Sequence, residues 1–402
     1  MSFSQRHYDY IIGGAGLSGL SLCWHIATHP GLQDKTIALI ESPDDEQNAQ
    51  SKTWCFWSKD GLPEPVPIRH SWHKLEIFAG HTALTAPLEK MGYYCVQGGD
   101  YFARMSKKLS EFEAVDVIRG SIKGYGETAR GVKIDVGGKS FSASCFFKSF
   151  GKPDLSRARF KLLQHFKGIE IETKKAVFDP LTARMMDFRV PQQDGATFVY
   201  VLPFSENKAL IEYTLFSPSV LAEAAYDTAI ADYITRYFGI EPGSYHITRS
   251  ETGVIPMADS IHQATQGARV QLIGTASGIP KASTGYAFSR IHRQARQIAD
   301  ALSAAEVPRR KADSSARFRI YDLMLLDILS RDLGQIVPVF EALFANNPIE
   351  RVLRFIDEQT TFTEDLQVMA SVPWYPFLRA GFRNADMLLK GGVNPRTISS
   401  RG

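Results

Sequence analysis

The alternation of apolar and polar positions changes period several times along the chain, and each change marks an element. Residues 8–13, YDYIIG, are a short apolar run that ends in glycine. LSGLSLCWHIATH repeats apolar positions at helical spacing through Leu17, Leu20, Trp24 and Ala27, and KTIALIE is a second apolar run ending at Glu41. This predicts a strand, a tight turn, a helix and a second strand. The turn spells Gly14-x-Gly16-x-x-Gly19. Glycines there let the backbone approach a pyrophosphate, the helix N-terminus faces its charge, and an acid about twenty residues on can bind a ribose. The unit predicts a dinucleotide site built on Gly14, Gly16, Gly19 and Glu41. A ribose-binding acid disfavours a phosphorylated ribose, which leaves NAD or FAD.

Residues 42–100 lack a sustained period and read as irregular, rich in Pro, Trp and His. Within them SKTWCFW is too aromatic for a surface loop; it reads either as a core plug or as the lining of a ring-shaped ligand. DYFARMSKKLS reads as a helix, and 115–150 as short alternating strands with a Gly137-Gly138 turn. HFKGIEIET, ARMMDFRV, ATFVYVLPF and KALIEYTLF are successive strands of a second sheet, the last two joined by a hairpin at 205–208. Helical spacing resumes near 219–238. ARVQLIG is a further apolar strand, and a helix is expected from about Thr284 to Leu302 after a loop of small residues. The last hundred residues read as amphipathic helices, ending in the aromatic patch SVPWYPFLRAGF.

In KALIEYTLF a period of two places Ala209, Ile211, Tyr213 and Leu215 on one face, and Leu210, Glu212, Thr214 and Phe216 on the other. Glu212 is a surface charge if that face is solvated. If the face is buried, the carboxylate needs a partner or stays protonated. The strand alone leaves both open. Asp187 is a second acid in a neighbouring strand, with an ion pair to Arg189 as its alternative role.

Composition narrows the class. The chain has 402 residues, 44% hydrophobic and 22% charged, which suits two or three globular units. A net charge of +3 without a long basic run gives no reason to expect nucleic acid. Cys23, Cys55, Cys95 and Cys145 are too widely spaced for a disulfide framework or a zinc site, so free thiols in a reducing, cytoplasmic compartment are expected. His70 and His73 have no further ligand pattern beside them, and no metal is expected. There is no secretory leader pattern and no apolar run of spanning length; the C-terminal aromatic patch leaves attachment to a membrane surface open.

YDYIIGGAGLSGLSL, SKTWCFW, the pair MMDFR and FVYVLPFSENKALIEYTLFS, then GVIPM, IGTASGIPKASTGYAFSRI and FIDEQTTFTEDL occur in this order, and the set resembles the bacterial lycopene β-cyclases across essentially the whole chain. The resemblance implies an α/β fold of the aromatic-hydroxylase-type flavoproteins. In it a Rossmann-like FAD-binding domain (1–80, 106–160, 246–305) carries an inserted substrate β-sheet domain (81–105, 161–245) and a C-terminal helical region (306–402). It implies FAD in its reduced form, NAD(P)H as reductant, and lycopene or other acyclic carotenoids as substrate. Glu212 then aligns with the essential acid, with Asp187 beside it. Lys52, Thr53, Gly274, Thr275, Ala276, Thr284 and Gly285 join the cofactor set, and Trp54, Phe188, Tyr200, Phe204 and Tyr213 the substrate set. Thr275 stands where related hydroxylases carry an aspartate, Lys148 where an acid is usual, and Ser277 where a glycine is usual. Oligomeric state is not implied.

Ring closure needs a proton added to a terminal double bond, attack on the resulting cation by another double bond, and loss of a proton. An alkene is a poor base, so the donor has to be a neutral acid, which burial of Glu212 would provide. An anionic reduced flavin would stabilise the cation. The rival readings are a redox flavoenzyme, a hydroxylase or prenyl-chain reductase, and a carotenoid carrier without catalysis.

Overall fold

The computed structural model describes residues 6–43, 51–59, 61, 65–260, 269–304 and 314–389. Its first unit follows the predicted strand-turn-helix-strand order: β1 (His7–Gly13), α1 (Leu17–Thr28) and β2 (Ile37–Glu41). Residues 42–100, expected to be irregular, contain five strands among the described residues: β3 (Thr53–Ser58), β4 (His70–Trp72), β5 (Lys74–Ala79), β6 (Thr82–Pro87) and β7 (Gly92–Gln97). These strands are short and lie in two different sheets, so no single period runs through the segment. Next come α2 (Gly98–Leu109), β8 (Val115–Arg119), β9 (Ile122–Thr128), β10 (Gly131–Val136) and β11 (Lys139–Lys148).

Among the described residues the first sheet runs β8-β2-β1-β11-β10-β9, with β17 (Val270–Leu272) adding in parallel to the end of β11. The strands β8, β2, β1 and β11 are parallel; β2 and β1, at the centre, are buried on both faces, which explains their continuous apolar runs, whereas edge strand β8 leaves Val117 exposed. One face packs on α1, α2 and the later helix α4 (Phe288–Ser303); the other is closed by residues of β9 and β10.

The second sheet runs β16-β12-β15-β14-β13-β5-β6, where β12 is Lys161–Thr173, β13 Thr182–Asp187, β14 Ala196–Ser205, β15 Lys208–Ser217 and β16 Tyr245–Ala258. The central strands β14 and β15 are covered on both faces. Val199, Val201, Ile211, Tyr213 and Leu215 face α3 (Glu223–Phe238) through Tyr226, Ile230, Tyr233 and Ile234. On the other face Phe198, Tyr200, Leu202, Leu210 and Phe216 join a core shared with the C-terminal helices. Those are α5 (Ala316–Arg331), α6 (Ile336–Ala345), α7 (Ile349–Ile356), α8 (Phe362–Ser371), α9 (Trp374–Arg383) and α10 (Ala385–Leu388). A third sheet, β3-β7-β4, joins the two halves.

The sheets divide the chain differently from the expected boundaries. Residues 74–79 and 245–258 are strands of the second sheet, whereas α2, which begins at Gly98, packs on the first. The helix expected at Thr284 begins at Phe288, because Gly285 has a φ of +70° and turns the chain first.

Candidate active site

A cavity of about 980 Å³ runs from the glycine turn of the first unit to the second sheet. Gly14, Gly16, Glu41, Lys52, Thr53, Thr275 and Gly285 line it toward the first unit, and Trp54, Cys55, Tyr200, Glu212, Glu251 and Tyr286 toward the sheet. The turn is built for close approach. Gly14 has a φ of +93°, which favours glycine. A Cβ on Gly19 would lie 1.8 Å from the Gly14 carbonyl oxygen, so this glycine packs helix against strand. A Cβ on Gly16 would meet nothing within 4 Å, because that position opens on the cavity. Glu41, buried at the end of β2, accepts a hydrogen bond from the Ala15 N–H and closes the turn.

The later loop is pinned by side chains. The Gly274 N–H donates to Gln294 Oε1 at 3.0 Å, and Ser277, in the usual glycine place, donates from Oγ to the Gly274 carbonyl at 2.7 Å. Gly274 and Ala276 are therefore packing residues behind the wall, whereas Thr275 faces the cavity. The buried Thr284 Oγ1 has no hydrogen-bond partner among the described residues. Lys281 bridges Asp322 (2.7 Å) and Glu358 (3.0 Å), and Arg290 reaches Glu358 at 2.8 Å. These ion pairs tie the loop to the C-terminal helices and give the block FIDEQTTF its structural role. Lys148, in the usual place of an acid, lies over the rings of Tyr125 and Phe150 at 5.5 and 5.0 Å, so it packs behind the cavity wall that Phe150 forms.

At the far end the second sheet presents one row of residues across four strands. Tyr200 pairs with Glu212, Glu212 with Gly168, and Gly168 with Glu251. Residues paired across adjacent strands share a face, so Tyr200, Glu212 and Glu251 line the cavity together, with Gly168 between the two acids. Glu212 is enclosed by protein, and its remaining accessible surface opens on the cavity. Its Oε1 accepts from Thr214 Oγ1 at 2.9 Å. Burial first, then the charge of Glu251, push its carboxyl up to about 8, so it is largely protonated at neutral pH. The strand face that carries Glu212 is covered at Leu210, Thr214 and Phe216, and Glu212 is half-buried within it beside the cavity.

Glu251 was not singled out from the sequence. Its Oε2 accepts from Arg249 Nη1 at 2.7 Å, while its buried Oε1 has no partner among the described residues. Arg249 also donates to Thr53 Oγ1 and to the Ser51 carbonyl, each at 2.6 Å, and reaches Glu170 at 3.3 Å. Burial alone would raise Glu170, but hydrogen bonds from Arg69 and the neighbouring cations hold it down to about 2. Lys52 donates to the Thr252 carbonyl. Tyr200 and Tyr286 share a hydroxyl contact of 3.0 Å, and burial raises both phenols, which stay neutral.

The expected acid Asp187 and three expected substrate residues also lie off the cavity. Asp187 is fully buried on the opposite face of the sheet, paired with Val199 in the row that faces α3. Its carboxylate accepts from Arg189 Nη2 (2.6 Å), Arg189 Nε (2.9 Å) and Tyr233 Oη (2.7 Å), so it is an anchor rather than a proton donor to the cavity. Register shifts around residues 184–187 place it there. Tyr213 also faces α3, one residue out of phase with Glu212. Phe188 packs on Phe198 and Phe340, and Phe204 on Trp72, His70 and Arg69, all as parts of the protein's own packing.

In overall structure the chain is similar to a geranylgeranyl bacteriochlorophyll reductase-like protein from Thermoplasma acidophilum, with a TM-score of 0.61 at 14% identity over 96% of this chain and 100% of that one. It is similar to a flavin-dependent brominase, with a TM-score of 0.54 at 14% identity over 96% of this chain and 99% of that one. These likenesses carry the fold alone. In sequence it is 33% identical over 322 residues to a lycopene beta-cyclase from a Paracoccus species, spanning 75% of this chain and 74% of the relative. It is 23% identical over 410 residues to a lycopene beta-cyclase from Pantoea ananas, spanning 94% and 97%. Residues 9–381 match the family described as lycopene cyclase protein, and the chain belongs to that family.

Proposed function

We propose that this protein is a lycopene beta-cyclase, which closes the ends of lycopene into β-rings by acid catalysis without net redox change. The observation that carries the reading is Glu212: a carboxylic acid kept protonated on the wall of a cavity that continues to a dinucleotide-binding turn, in a chain of the lycopene cyclase family.

The residues present fit FAD. The space in front of Gly16 admits a pyrophosphate, Glu41 stands where a ribose would follow, and the orphaned Thr284 hydroxyl and cavity-lining Thr275 offer polar groups near the later loop. When bound and reduced, with NAD(P)H as the source of electrons, FAD supplies negative charge that stabilises a carbocation.

Glu212 protonates the terminal double bond of the polyene. Thr214 donates to its Oε1, which leaves Oε2 as the proton-bearing atom. Trp54, Tyr200 and Tyr286 wall the space and keep water from quenching the cation. The aromatic faces add weak attraction for positive charge.

Peripheral membrane attachment through α9 belongs to the same reading. No helix among the described residues is long and apolar enough to cross a membrane. Yet Trp374, Tyr375, Leu378 and Phe382 are 68, 58, 52 and 83% exposed along α9, an apolar stripe with Arg379 beside it, suited to lie at a lipid interface and admit a water-insoluble substrate. Expression in a lycopene-accumulating bacterium tests the function: cyclic carotenoid by chromatography supports it, and unchanged lycopene with soluble, flavin-loaded protein refutes it.

A further inference from the structure

We infer that Glu251 is a second catalytic carboxylate, which accepts the proton lost when the ring double bond forms and returns it across Gly168 to Glu212 between turnovers. The inference rests on the cyclase reading. It assigns a partner to an acid that would otherwise have to serve as both donor and acceptor.

Three observations carry it. Glu212 and Glu251 occupy the same row on the two strands flanking β12, and the residue between them is glycine. A methyl at Gly168 would lie 3.4 Å from Glu212 Cβ and 3.3 Å from Glu251 Cγ, so both side chains border the space over that glycine. The two carboxylates also differ in surroundings. Glu212 has a hydroxyl for a partner, whereas Glu251 is held by a guanidinium at 2.7 Å and keeps one oxygen unengaged among the described residues. Paired carboxyl groups whose surroundings differ in this way divide into an acid and a base. Among the other acids lining the cavity, Glu41 closes the glycine turn and Glu223 pairs with Lys167 at 2.9 Å.

The chemistry balances. Glu212 gives up a proton and a C–H bond forms at the chain end. A C–C bond closes the ring, a C–H bond beside the cation breaks, and that proton goes to Glu251. The product is an isomer of the substrate, and one proton moving from Glu251 to Glu212 resets the pair. The groups facing the pair are Lys52 and Cys55 on β3 or just before it, Arg249 on β16, Tyr200 on β14 and Tyr286 before α4.

The test uses full-length, flavin-loaded wild type, Glu251→Gln, Glu251→Asp and Glu212→Gln, with lycopene in liposomes. Products are resolved by chromatography, and the Glu212 carboxyl is titrated by difference infrared spectroscopy, assigned by its loss in Glu212→Gln. Glu251→Gln is expected to keep its flavin and to lose at least about a hundredfold in β-ring formation. Its residual product should shift toward rings with the double bond displaced, and Glu212 should ionise at a lower pH. Glu251→Asp should recover part of the β-ring product. Wild-type rate and product in Glu251→Gln overturn the inference alone. So does equal loss in both Glu251 variants with the Glu212 band unmoved, the signature of a structural role. If Glu251→Gln does not fold, Glu251→Asp decides: reduced turnover with a shifted Glu212 titration supports the inference, and wild-type behaviour overturns it. A wild type that binds flavin and forms no ring overturns the cyclase reading and this assignment with it.

Discussion

Glu212 and Tyr213 are consecutive in sequence and serve opposite faces of one sheet: the carboxyl opens on the cavity, and the phenol ring packs on Tyr226 of α3 with centroids 6.4 Å apart. The strand's two-residue period separates chemistry from anchoring within a single peptide step. Asp187, two strands away, falls on the anchoring side with Tyr213, and this divides the two acids by role.

Glu212→Gln keeps size and hydrogen bonding and removes the transferable proton. Normal folding and flavin content are expected, with cyclisation down by at least about a hundredfold. Glu212→Asp, with its donor about an ångström short, should retain a small part of the activity. A Glu212→Gln enzyme with most of its turnover would remove Glu212 from the mechanism.

The raised Glu212 carboxyl also predicts a pH dependence. Between the ordinary glutamate value of 4.5 and about 8 the folded protein holds a proton that the unfolded chain has released. Its contribution to stability therefore falls as pH rises through that window. Glu212→Gln lacks this term, so its melting temperature relative to wild type should climb from pH 5 to pH 8 and then level off. Wild-type cyclisation should decline above about pH 8. A constant difference between the two melting curves across the window would contradict the buried, protonated state.

Two glycines of the turn should behave differently. Gly16→Val fills open space and should abolish flavin uptake while leaving the melting temperature nearly unchanged, because nothing lies within 4 Å of its Cβ. Gly19→Val drives a side chain into the Gly14 carbonyl and should lower stability before any ligand is added. Flavin fluorescence and calorimetry on the same preparations separate the two.

Asp187→Asn should act on stability. The change leaves Arg189 and Arg184 facing a neutral amide in a fully buried site, at a cost on the order of 3 kcal/mol. Denaturant midpoints should fall, and turnover per folded, flavin-loaded molecule should stay within a few-fold of wild type. Loss of turnover with unchanged stability would return Asp187 to the catalytic set.

Replacing Trp374 and Phe382 together by Ser removes two of the most exposed apolar side chains of α9. Sedimentation with anionic liposomes should drop several-fold, with folding intact because neither residue is buried. Undiminished sedimentation would locate any membrane contact elsewhere.

Sequence alone determined the local features. The glycine turn with Glu41 depends on backbone geometry within one strand-turn-helix unit, and the hairpin into β15 depends on a few residues, so both are visible in neighbouring positions. Alternation in β15 likewise placed Glu212 and Tyr213 on opposite faces, but it could not say which face was covered by a helix and which by a cavity. Only the tertiary structure decided that, because burial is set by elements such as α3 and the C-terminal helices, which are distant in sequence. It also decided the partner of Glu212. Glu251 lies on a strand that reaches Glu212 only through β12, and strand order and register depend on the packing of the whole sheet.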